Sequence, residues 1–299
     1  MAAVTDQTLT TPTLLLAGAS SQIGVFAMPR LLGLGFNIIA ISRSGKPPGW
    51  PDTKGVSWLD EGAAISAAAD CTKLLSVGPM DLAHRLLQTL DQLQDVVVFS
   101  STSVQTKTGS ENRLENKQAR HLLEMESKLQ SCARARHIKL VIFRPTLVYG
   151  CGLDANISRL ANWIQRFGFM PVSGQAAGLR QPVHADDLAE VAARALSYAG
   201  PLPGVLTVTG GETLSYAEMV SRIFPAMGKP VRLLRLPEWL FVSMVNVAGL
   251  FRSDSGLNAE MVRRQAVDMV FDDHQARELL GHSPRPFDPT GGDFSLPDL

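Results

Sequence analysis

At 299 residues the chain can bury about 75% of its unfolded surface, so a large core needs no covalent staples. Lys plus Arg and Asp plus Glu each number 28, which removes the basic excess of a nucleic-acid binder; 45% hydrophobic and 19% charged residues argue against disorder and fibrous repeats. The three cysteines, Cys71, Cys132 and Cys151, are far apart, suggest neither a metal site nor a disulfide framework, and fit a reducing compartment.

The opening run MAAVTDQTLTTPT has no basic stretch followed by an apolar one, so no secretory signal is expected and a cytoplasmic location is. Thr13–Ala17 is an apolar run bounded by Pro12 and Gly18 and reads as a strand; Ile23–Leu32 has helical spacing. The strand theme returns at Phe36–Ile41, Val56–Leu59, Lys73–Val77, Val96–Ser100 and Leu140–Phe143, with Leu82–Leu93 and Leu114–Ala135 as the clearest helices between. Strands alternating with helices predict an α/β fold, a Rossmann-type doubly wound parallel sheet covered on both faces. The basic run Arg134, Arg136, His137 and Lys139 sits where a helix ends and suits its C-terminus.

After Arg144-Pro145 the pattern changes. Ala155–Phe167 and Ala185–Tyr198 read as helices, Gly168–Gly178 as an irregular stretch, and Val205–Thr209 as one more strand. Leu214–Met227, Glu238–Leu250 and Asn258–Val267 predict helices, and Pro284–Leu299 an irregular tail. The division expected is a first domain over 12–154, completed by 183–210, and a smaller, mainly helical substrate part over 155–182 and 211–299. The apolar stretch Trp239–Phe251 is too short to span a bilayer; it reads as a buried or pocket-lining helix, or an interface.

The turn from Gly18 to Gly24 joins a buried strand to a helix start. Gly18 permits a tight turn, Gly24 permits close packing of helix on strand, and the helix N-terminus offers N–H groups to a pyrophosphate. As the first turn of a repeating strand–helix pattern it predicts a nicotinamide dinucleotide site, with Ser20, Ser21, Gln22 and Ile23 between the glycines. Ser76, Val77, Gly78 and Ser100, at later strand ends, are assigned to the same ligand. The second strand ends in Ser42-Arg43 with no carboxylate to hold a ribose 2′-hydroxyl; Arg43 and Ser42 suit a 2′-phosphate, so NADP is expected over NAD.

Four segments together resemble the extended or atypical short-chain dehydrogenase/reductases, the NAD(P)-dependent epimerase/dehydratase group. They are the Gly18–Gly24 turn, Phe99-Ser100-Ser101-Thr102-Ser103-Val104, Arg144-Pro145-Thr146-Leu147-Val148-Tyr149-Gly150, and Arg180 through Ala189. The resemblance implies a catalytic Ser or Thr, a Tyr, and a Lys four residues after the Tyr. Thr102 matches the first. No Tyr lies in the helix after it: the three tyrosines are Tyr149, Tyr198 and Tyr216. Two registers are open, one with Arg113 in place of Tyr and Lys117 as the Lys, the other with Asn116 and Arg120. Either removes the usual proton donor, since neither Arg nor Asn serves as an acid near neutral pH; Glu115, His121 or a substrate group are the replacements available.

The resemblance also implies that Arg180 and Asn156 bind the pyrophosphate of a nucleotide sugar, with Gln181 where the family has Asp. His184 and Asp187 read as a helix start held by an orienting hydrogen bond. Trp163, Phe167, Phe169 and Met170 read as pocket lining or core. The function expected is an NADP-dependent oxidoreductase or epimerase acting on a nucleotide sugar or another small carbonyl or hydroxyl compound. The alternative is a catalytically atypical NADP-binding sensor or assembly protein working through protein partners or as a homodimer. No metal is expected.

Overall fold

Three consecutive leucines make Thr13–Ala17 (β1) a strand that is apolar on both faces, as the centre of a covered parallel sheet requires. The computed structural model describes residues 11–43, 45–251 and 259–296. The opening run read for a secretory signal lies largely outside them, as do Asn258, which was expected to open a helix, and the last three residues of the tail.

β1 is flanked by Asn37–Ile41 (β2) and Lys73–Ser76 (β4). Val56–Leu59 (β3) lies beyond β2; Asp95–Phe99 (β5), Lys139–Pro145 (β6) and Val205–Val208 lie beyond β4. All seven strands are parallel, in the order Val205–Val208, β6, β5, β4, β1, β2, β3. The predicted doubly wound sheet is therefore present.

Gln22–Gly33 (α1), capped by the Ser21 hydroxyl, covers one face together with Ala185–Ser197 (α7, the seventh helix in chain order). Glu61–Ala67 (α2), Met80–Thr89 (α3) and Arg113–Ala135 (α5) cover the other. A short helix, Ser103–Thr106 (α4), precedes α5. α3 ends earlier than the periodicity suggests: Leu90 is extended, yet Leu90 and Leu93 stay buried beneath the sheet. A third core joins Ile157–Phe167 (α6) to Tyr216–Ala226 (α8), with Tyr149 and Phe287 among its fully buried side chains. Phe287 belongs to the tail, which is irregular as expected apart from a turn of 3₁₀-helix at Gly291–Phe294. Glu238–Phe251 (α9) follows α8 in the chain. Among the described residues no helix is long and apolar enough to cross a membrane, and no His/Cys/Asp/Glu group could hold a metal ion.

His282 fastens the tail to the sheet: it is 4% exposed and its Nε2 donates to the Thr209 carbonyl at 2.9 Å. Burial is the largest influence on the ring and holds its pKa below the usual histidine range. The unfolded chain therefore takes up a proton more readily than the folded one, and stability is lost as pH falls below about 6.5. The Tm should drop between pH 7 and pH 5, and the drop should shrink in His282→Gln. Asp186, Asp273 and Asp293, held low by their partners, act only below about pH 4. Equal slopes in both proteins would count against this assignment.

Candidate active site

The carboxyl ends of β1, β4, β5 and β6 open onto a cleft of about 760 Å³, where a doubly wound sheet places its ligands. The first turn is shaped by contacts that only glycine permits. Gly18 has φ +78°, and a Cβ there would stand 2.5 Å from the Gly78 nitrogen; one on Gly24 would stand 2.5 Å from the Ala19 carbonyl oxygen. The Ser21 hydroxyl accepts from Gly24 N at 3.2 Å, and the N–H groups of Gln22 and Ile23 have no acceptor within the helix. No acidic residue stands in that first turn.

Ser20, Ser21, Gln22, Ile23, Val77, Gly78 and Ser100 line the cleft. Ser76 does not: it is fully buried beneath, its hydroxyl without a partner among the described residues. The Ser100 hydroxyl donates to Glu126 at 2.6 Å. Ser42 and Arg43 lie at the end of β2, outside the cleft lining. The Ser42 hydroxyl donates to the Gly45 carbonyl and folds the loop back, leaving Arg43 exposed with no carboxylate in ion-pair reach among the described residues.

Thr102 is 7% exposed and on the cleft wall. Its N–H and hydroxyl both donate to the Pro145 carbonyl, at 3.1 and 3.0 Å, so the hydroxyl oxygen is left to accept from a ligand. Lys117 is elsewhere. It is exposed, as are Arg113 and Arg120, and none of the three lines the cleft. The α5 face turned inward runs through Ala119, Met125, Glu126, Leu129 and Ala133, and the α5 residue in the cleft is Leu122. Arg113, Lys117 and Arg120 thus lie on the outer side of the helix, and Asn116, half-buried, is held by the Ser110 carbonyl and Arg120. None of the three tyrosines lines the cleft; Tyr149 packs against His184 and Phe287, and burial pushes its phenol pKa up. Of the replacements, Glu115 and His121 border a neighbouring cavity rather than the cleft itself.

Asn156 and Arg180 come into the cleft although 24 positions separate them. Asn156 precedes α6, its N–H bound by Asp154. Arg180 is 6% exposed and packs over the Tyr216 ring at 5.5 Å. Its guanidinium donates to the carbonyls of Leu179, Val267 and Arg264 at 2.7, 2.8 and 2.5 Å, with no ion-paired carboxylate among the described residues. Burial is the main influence lowering its pKa. Gln181 exchanges two hydrogen bonds with the Phe271 backbone, fixing another wall residue. His184 accepts from Asp186 N and reaches Asp293 at 3.0 Å, and Asp187 is held by Arg285: both are built into the helix start. Trp163, Phe167 and Phe169 stack on one another outside the cleft lining, and Met170 is buried in the third core.

Sequence reasoning missed Lys107, which lines the cleft at the end of α4, and Glu126, 2% exposed, which anchors Ser100 and Arg144. The apolar period Met125–Leu129–Ala133, extended back to Leu122, was the signal that could have set the face of α5.

No family profile matches the chain. It is 26% identical over 161 residues to UDP-glucose 4-epimerase of Vibrio cholerae, covering 54% of this chain and 47% of that protein, so it spans about half the length of the curated relative it matches. Among solved structures it resembles an epimerase from Methanothermobacter thermautotrophicus, with TM-score 0.70, 13% identity and 93% and 89% of the two chains covered. UDP-N-acetylglucosamine 4-epimerase from Bacillus cereus gives 0.67, 15%, and 92% of both chains. UDP-glucose 4-epimerase from Bifidobacterium longum, solved with NAD+ and UDP, gives 0.67, 16%, and 94% and 96%. With its seven-stranded parallel sheet and glycine-shaped first turn, the chain shares the Rossmann-type fold of these epimerase structures.

Proposed function

We propose that the protein binds a nicotinamide dinucleotide at the Gly18–Gly24 turn and acts as an oxidoreductase or epimerase on a nucleotide sugar. The observation that carries this reading is that one cleft joins a glycine-shaped helix N-terminus to a buried arginine with no paired carboxylate among the described residues. The residues fit the cofactor. A Cβ at Gly18 or Gly24 would collide with the backbone that shapes the turn, and Gln22 and Ile23 present N–H groups of the kind that bind phosphate. When bound there, the nicotinamide supplies hydride transfer. Thr102 accepts a hydrogen bond from a substrate hydroxyl, and Arg180, with three N–H directions used by carbonyls, offers the remainder to a pyrophosphate. The protein is to be mixed with NAD or NADP and UDP-sugars and the products separated. Absence of both dinucleotide and UDP binding by calorimetry would sink the reading.

Arg43 favours NADP within this reading, because an exposed guanidinium stands at the end of β2 where a carboxylate would repel the 2′-phosphate. Arg43→Ala should weaken NADP by about tenfold, the worth of one charge-assisted hydrogen bond, and leave NAD unchanged. NAD binding more tightly than NADP to the unaltered protein would overturn the preference.

Leu122 at the cleft favours a second reading, in which the dinucleotide is sensed and the output passes to a protein partner. Binding without turnover of any sugar nucleotide is its expected signature.

A further inference from the structure

A second cavity, of about 310 Å³, borders the main cleft, and Ser103, Lys107 and Leu122 line both. The side cavity owes its room to α5, which presents Gln118, Ala119 and Leu122 there. Lys107 stands at the junction, five residues after Thr102, with its side chain 33% exposed. Its ammonium is 3.6 Å from Glu115, beyond hydrogen-bond reach, and it donates no side-chain hydrogen bond among the described residues. Glu115 is engaged elsewhere: its two oxygens grip Arg264 at 2.6 and 2.8 Å. Arg264 has a second carboxylate, Glu260, at 3.7 Å, but it is Arg264 that Glu115 holds closely, leaving Lys107 at the longer distance. His121, also on the side cavity, is tied to Asp81 at 2.9 Å.

The charged residues lining the main cleft are Lys107, Arg180 and Asp154. Asp154 is satisfied by the N–H groups of Asn156 and Ser158 and by the Ser158 hydroxyl. The cleft lining therefore carries one more positive charge than negative. A pyrophosphate meets Arg180 on the strand Leu179–Arg180; Lys107 is a separate cation, on the element that begins at Thr102.

We propose that the sugar end of the substrate bears a carboxylate, which Lys107 pairs with where the two cavities join: the substrate is a nucleotide-linked uronic acid rather than a neutral nucleotide sugar. This rests on the nucleotide-sugar reading above and narrows it. The Lys107 side chain is two thirds buried, and a pair formed on a partly buried side chain discriminates more strongly than a fully exposed one would.

The test is calorimetric titration of the full chain, loaded with dinucleotide, with UDP, UDP-glucose and UDP-glucuronate. UDP-glucuronate should bind about tenfold more tightly than UDP-glucose, the worth of one charge-assisted hydrogen bond. Lys107→Gln should erase that difference while UDP affinity stays unchanged, and Lys107→Arg should retain it. In the unaltered protein, added salt should weaken UDP-glucuronate more than UDP-glucose, a readout that needs no variant. Equal affinities for the two sugars, or a preference that survives in Lys107→Gln, overturns the proposal while leaving the nucleotide-sugar reading intact. Failure of UDP itself to bind overturns that reading and this one together.

Discussion

Gly18→Ala should cost about 3 kcal/mol of stability and weaken dinucleotide binding roughly 100-fold, two effects of one added methyl group. The residue sits at φ +78°, a conformation L side chains adopt at a cost, and the new Cβ would press on the backbone of Val77 and Gly78 at 2.5 to 2.8 Å. Neither neighbour is a flexible side-chain end that could swing away. The loop after β4 would have to move, and with it Val77 and Gly78, which line the cleft. Gly33→Ala is the matched control. It lies at the end of α1, and a Cβ there meets nothing within 4 Å, so stability should hold or rise slightly. Thermal melting and a dinucleotide titration on the two variants decide the matter. Unaltered melting and affinity in Gly18→Ala would mean that the turn tolerates a side chain and is not a phosphate cradle.

This turn was legible because its determinants are local. A leucine run, two glycines and a capping serine fix strand, turn and helix start within a dozen residues. The sheet was legible for a related reason: buried parallel strands are short apolar runs, and these stand out between polar loops. α2 escaped notice because its sequence, EGAAISA, buries little beyond Ala64 and so has no period to read. The failure at α5 has a different cause. The helix itself was plain over its 23 residues, but its rotation about its axis is set by what it docks against. Spacing to neighbouring motifs allowed Lys117 or Arg120; packing turned both to solvent and put Leu122 inward. Long-range partners were equally hidden. Two of the three carbonyls that hold Arg180 come from Arg264 and Val267, more than eighty positions away, and nothing near Arg180 announces them. The turn was therefore readable, as were Asn156 and Arg180 as cleft residues, whereas the distant groups that hold Arg180 and the rotation of α5 were not.

Glu126→Ala should be the most damaging substitution outside the glycine turn, at about 3–5 kcal/mol, because it leaves a buried cation without its partner. Glu126 is 2% exposed and receives Arg144 through both carboxylate oxygens, the Nε contact being 3.0 Å, together with the Ser100 hydroxyl at 2.6 Å. Arg144 is itself largely buried, at 16% exposure of its side chain. The consequences reach the cleft by a short path. Arg144 precedes Pro145, whose carbonyl accepts from both the N–H and the hydroxyl of Thr102. Loss of Glu126 should therefore loosen Thr102 and Ser100 together, impairing substrate handling in molecules that remain folded. Two variants separate charge from shape. Glu126→Gln keeps the volume and one acceptor oxygen and should lose less than the alanine. Replacing the pair outright, as Glu126→Leu with Arg144→Met, removes both charges and should recover much of the loss in melting temperature without restoring the hold on Thr102. Denaturant unfolding of the three proteins supplies the energies. If the alanine variant unfolds within about 1 kcal/mol of the parent, the pair contributes no more than an exposed one and does not set the cleft floor.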